Sequence, residues 1–146
     1  MGALTAWFDL EFARLYSDWR ELIQSLEPEQ IYQRSARGRI SIGEHVVRSA
    51  RAVEQTFGGI TANLWDDPFE WTLPESLANS AKVLEYFDEV EATRRRGFEL
   101  LQNDEELVRE VMTPAGTMPL ASLLLDTLVR ARQHQLSAVR QQHERR

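Results

Sequence analysis

Apolar residues in the first part of the chain recur at Phe8, Phe12, Leu15, Trp19, Leu22 and Leu26, at steps of four, three, four, three and four. That spacing lays one stripe along an amphipathic helix and predicts helix over residues 4–26. Pro28 ends the stripe, and the largely polar run from Glu29 to Arg39, which carries Gly38, reads as a connection. Ser41 with Glu44 three residues on is a capping box. It opens a second helix over 41–63 with the stripe Val46, Ala50, Val53, Phe57 and Ile60. Trp65-Asp66-Asp67-Pro68 is turn-rich. Pro74, within Thr72-Leu73-Pro74-Glu75, suits a first helical turn, so Leu77, Ala81, Leu84, Phe87, Phe98 and Leu101 predict a third helix over 75–102. Asn103 to Glu106 caps one further short turn, and Thr113-Pro114-Ala115-Gly116 forces irregular backbone. The last helix, over 119–141, carries Leu120, Leu124, Thr127, Ala131, His134 and Ala138 on its inner face.

Four long helices without repeats or alternating strand patterns predict an all-α fold, a four-helix bundle with long connections that need not be simple up-down-up-down. The 146 residues fit a single domain, 1–146, large enough to bury roughly two thirds of the unfolded surface. A net charge of −6 and a pI near 5.1 argue against nucleic acid as a partner, which needs a clustered basic surface. Without cysteine there is no disulfide framework, no thiolate metal site and no cysteine nucleophile. The first residues lack a basic leader, and no segment approaches the ~18 apolar residues of a membrane span. A cytoplasmic protein without a membrane partner is the expectation.

No GxSxG, P-loop, HExxH, GxGxxG or EF-hand pattern occurs, so the chemistry rests on a few side chains. His45 lies one turn into the second helix, at the edge of its stripe, and His134 sits four residues after Arg130 on the last helix. Two inward imidazoles suit zinc, nickel, iron or copper but need more donors. The plainer alternative is a pair of partly buried histidines with an arginine lying over them. A guanidinium repels a dication rather than ligating it, so Arg130, paired along the helix with Asp126, points instead to an anion. Glu44 beside His45 is a candidate orienting group. Arg94-Arg95-Arg96 points in three directions on a helix and reads as a solvated face. Trp65, Phe69 and Trp71 with Asp66, Asp67 and Glu70 read as a loop anchored on the bundle, with a pocket mouth as the alternative.

Three segments together resemble the DinB-like superfamily of metal-binding four-helix bundles, which includes mycothiol- and bacillithiol-dependent transferases. They are Trp7-Phe8-Asp9-Leu10-Glu11-Phe12, Ser41-Ile42-Gly43-Glu44-His45-Val46-Val47, and Thr113-Pro114-Ala115-Gly116 leading into Leu123 to His134. The resemblance spans nearly the whole chain. It implies a metal triad of one histidine early in the second helix and an HxxxH pair on the fourth, at positions that match His45, Arg130 and His134. Arg130 departs from that pattern and leaves a degenerate triad. It also implies dimerisation through helix faces, for which Trp7 and Leu10, off the main stripe of the first helix, offer a surface.

Enzyme and binding protein both remain open on these residues. In one reading His45 and His134 hold a divalent metal (zinc, nickel or iron) that polarises a small thiol for transfer, with Arg130 positioning an anionic group. In the other, a non-catalytic bundle uses the degenerate site to bind a small anionic ligand or a protein partner. A third is a structural or regulatory homodimer with no pocket ligand.

Overall fold

A computed structural model describes residues 2–34, 39–65 and 77–144. Helix α1 spans Ala3–Gln24, α2 Ile42–Ala62, α3 Ser80–Glu99 and α4 Leu120–Glu144. The four-helix, all-α expectation holds, with boundaries close to those the apolar stripes predict. The expected first turn at Pro74 lies outside the described residues, and the described α3 starts at Ser80, where the Asn79 side chain accepts the Lys82 amide at 3.0 Å. Ser41 caps α2 as its spacing predicts, accepting from the Glu44 amide at 3.1 Å. Among the described residues no helix is long and apolar enough to cross a membrane.

Side-chain pairs fix the helix directions. Asp9 meets Arg94 and Tyr16 meets Asp88, so α1 and α3 are antiparallel. Asp18 meets Arg132 and Ser25 meets Gln142, so α1 and α4 are parallel. Ser49 bonds the carbonyl of Ala131 and Thr56 bonds Thr127, so α2 and α4 are antiparallel. The bundle is therefore up-down-down-up, a topology that the long α2–α3 connection permits. Phe12, Phe57 and Phe98 form the centre of its core, with ring centres 5.2–5.9 Å apart. Trp19 packs on Phe87 at one end, 5.5 Å between ring centres.

Between α3 and α4 the chain makes a 3-10 turn, Asp104–Val108, as the Asn103 to Glu106 pattern predicts, and then an antiparallel hairpin of β1 (Glu110–Thr113) and β2 (Gly116–Pro119). The hairpin replaces the expected irregular segment. Its two-residue loop is Pro114-Ala115, and Gly116, which re-enters the ladder opposite Thr113, takes the positive φ of +122 that favours glycine. Strands of four residues are too short to carry an alternating sequence signal.

Two charged groups lock the helix ends and the interface. Asp104 reaches across to the start of α1, where its carboxylate accepts the Leu4 and Thr5 amides at 3.2 and 2.9 Å and the Thr5 hydroxyl at 2.8 Å. It supplies the cap that Gly2 at the N-cap position cannot. Arg94 corrects the reading of the arginine run as a solvated face: it is 2% exposed, bonded to Asp9 and Glu91 with its guanidinium 5.2 Å from the Phe98 ring centre, while Arg95 and Arg96 face solvent. Burial alone would lower the Arg94 pKa, but the Glu91 and Asp9 carboxylates raise it above its ordinary value. Trp7 and Leu10 are 46% and 49% exposed, as expected from their places off the stripe.

Removing Arg94 takes the buried partner from the Glu91 carboxylate and leaves it only the exposed Arg95, Nε to Oε1 at 3.2 Å, so Arg94→Leu is expected to destabilise the fold by about 3 kcal/mol in urea unfolding; a change below about 1 kcal/mol contradicts this. Backbone and hydroxyl donors from Thr5 and Leu4 hold the Asp104 pKa below its ordinary value. Its stabilisation is therefore present above the unfolded carboxyl pKa and lost as pH falls through the folded one. Asp104→Ala should lower the Tm at pH 7, with the gap to wild type closing in strong acid; a gap that does not change with pH would show that the carboxylate charge is irrelevant.

Candidate functional site

The face shared by α2 and α4 is built from small and hydroxylic residues. Ser49, Ala50, Thr56, Thr127, Ala131 and Ala138 are all buried there, which lets the two backbones approach closely. On that antiparallel seam, residue 45 of α2 lies beside residue 134 of α4. The ring centres of His45 and His134 are 6.3 Å apart, inclined at 39°. The structure thus brings together the two histidines that the sequence singled out, each half-buried.

Burial, then His134, then Arg48 push the His45 pKa down to about 4. The His134 pKa is also lowered, first by burial and then by Arg48, Arg130 and Arg51. At neutral pH both rings are therefore uncharged, and guanidinium groups from both helices stand close enough to be felt. Arg130 pairs with Asp126 one turn earlier, Nε to Oδ2 at 3.2 Å, as the spacing predicts, although the Nε–H is not aligned for a hydrogen bond. Glu44 does not orient His45. Neighbours on a helix diverge by about 100°, and its carboxylate turns to Arg34 at 3.3 Å. The buried Nδ1 of His45 has no hydrogen-bond partner among the described residues.

As they stand, the two rings do not match a tetrahedral zinc. Zinc at about 2.1 Å from one nitrogen of each ring, at a tetrahedral angle, would place the ring centres roughly 5 Å apart, closer than the 6.3 Å found. Arg130 occupies the third position that the resemblance implies, and among the described residues no group of three His, Asp or Glu side chains converges. The same cluster is suited to an anion, for which guanidinium and neutral imidazole N–H groups are donors.

One turn along α4 from His134, Arg130 stands on the wall of an open cleft of about 340 Å³ between the helices and the hairpin, beside Gln55, Trp65, Pro114, Met118 and Leu123. The sequence reading missed Arg48, Arg51, Gln55 and the hairpin wall. Arg48 and Gln55 recur on α2 at one and three turns from His45, the same helical spacing that found His134, so the α2 members were findable. Asp66, Asp67, Phe69, Glu70 and Trp71 lie outside the described residues. No protein-family model matches the chain, and none of the curated proteins matches it.

A histidine whose folded pKa lies near 4 against an ordinary 6.5 leaves the unfolded chain binding more protons between those values. Stability should therefore fall as pH drops from about 6.5 to about 4. His45→Gln removes this contribution and should give a shallower acid slope in denaturant unfolding measured across that range; an unaltered slope contradicts the assignment.

Proposed function

We propose that this bundle binds a small anionic molecule in the α2–α4 cleft, without a resident metal. The observation that carries this reading is the place of Arg130, on the cleft wall and one turn from His134, whose ring it helps with Arg48 and Arg51 to keep neutral and beside which His45 lies. In a half-buried site a charge-assisted bond to a guanidinium is about twice as strong as a neutral one, and an imidazole N–H adds direction. Asp126 stands at the Nε edge of Arg130, 3.2 Å from the nitrogen.

Titration calorimetry with inorganic phosphate at neutral pH and low salt tests the reading. Saturable binding is expected, weakened about tenfold or more in Arg130→Gln and measurably in His134→Gln. Failure of the wild-type protein to bind phosphate or acetate, or binding that both variants leave unchanged, would overturn it.

The DinB-like resemblance supplies a second reading, a divalent-metal site at His45 and His134 serving a thiol-dependent transfer. The unpartnered Nδ1 of His45 favours it. It needs a third donor beyond the described cluster. Elemental analysis of the purified, untagged protein decides between the two: near one zinc, nickel or iron per chain, lost in His45→Ala and His134→Ala, supports the metal and removes the case for an anion.

A further inference from the structure

The aromatic wall of the cleft is fixed before any ligand arrives. The chain leaves α2 through Asn63, held at φ 56, whose amide and that of Leu64 bond the Gly59 and Gly58 carbonyls at 2.9 and 3.0 Å. Asn63 then accepts the Trp65 indole N–H through its side-chain oxygen at 2.9 Å, and Gln55 donates to the Trp65 carbonyl. The indole lies directly on Gly59, where a Cβ would sit 2.2 Å from ring carbon Cε3. Turn, side-chain bonds and absent Cβ all act on one ring. A half-buried tryptophan held this way spends little entropy on meeting a ligand.

Trp65 shares its cleft with Met118 and Pro114 of the hairpin, Leu123 of α4, and the Arg130–Asp126 pair. One side is apolar and aromatic, and the other presents a guanidinium. At about 340 Å³ the cleft is at the small end of ligand sites, room for a single-ring molecule. The structure assigns the cleft to an aryl carboxylate, whose ring packs on Trp65 and Met118 while its carboxylate meets the terminal nitrogens of Arg130. Asp126 approaches the Nε edge, and the fork of the two terminal nitrogens is an edge that a carboxylate takes bidentately. This inference rests on the anion-binding reading above and adds the body of the ligand to its charge.

The probes are 3-phenylpropionate, acetate, inorganic phosphate and 3-phenylpropanol, titrated into the full chain and followed by the Trp65 indole N–H in proton–nitrogen correlation spectra. We expect 3-phenylpropionate to shift that resonance and to bind roughly tenfold tighter than acetate. Gly59→Ala, which displaces the indole, and Met118→Ala, which leaves the helices untouched, should each reduce that ratio. Arg130→Gln should weaken both acids alike. Equal affinities for 3-phenylpropionate and acetate would overturn the aromatic assignment and leave anion binding standing. Equal affinities for the acid and the alcohol would overturn the role of Arg130. Absence of binding by phosphate and both acids would overturn both readings together.

Discussion

The hydroxyl groups of Ser49, Thr56 and Thr127 set the distance between α2 and α4, and the site depends on that distance. Ser49 Oγ accepts the Trp19 indole N–H at 2.7 Å and donates to the Ala131 carbonyl at 2.6 Å, tying α1, α2 and α4 at one buried point. Thr127 spends its proton on the Leu123 carbonyl at 2.8 Å and accepts from Thr56 at 2.6 Å. Each group is fully or almost fully buried, so each bond contributes about 1 kcal/mol when made and costs about 1–3 kcal/mol when one partner is lost. An all-apolar seam would hold the helices together but would tolerate sliding. These bonds fix the register, and the register sets residue 45 beside residue 134.

The other polar interactions hold the frame around that seam. Arg94 bridges α3 to α1 from inside the protein, where a guanidinium is retained only because Glu91 and Asp9 satisfy it. Asp104 ties the start of α1 to the turn after α3, and the hairpin that follows is carried against the α2–α4 face. Leu120, the first residue of α4, donates to the Arg109 carbonyl at 2.9 Å, so the hairpin closes back on its own base. The hairpin that carries Pro114 and Met118 on the cleft wall is thus fixed at its base.

Much of this was legible in the chain. The stripes from Phe8 to Leu26 and from Leu120 to Ala138 gave two helices within a few residues of their observed ends, because long amphipathic periods are set by burial alone. His45 was recognisable by its place at a stripe edge, His134 by its place within a stripe, and the Asp126–Arg130 pair by its four-residue spacing. Arg94 was not, since an arginine looks solvent-bound until the partner carboxylate 85 positions away is brought to it. The hairpin was hidden by its brevity. The Trp65 platform was hidden because it depends on what is missing from Gly59 and on the left-handed turn at Asn63, neither of which leaves a periodic trace. In the metal triad implied by the resemblance, Arg130 stands at a ligand position, and the two imidazoles lie somewhat further apart than a tetrahedral zinc would hold them.

Whether the cluster at His45, Arg130 and His134 receives an anion or a cation is decided most directly by crystals grown with both zinc and phosphate, with data collected on either side of the zinc absorption edge. A tetrahedral anion on Arg130 and His134, with no anomalous peak between the imidazoles, is the result the geometry predicts. An anomalous peak bonded to both His45 and His134 would contradict it.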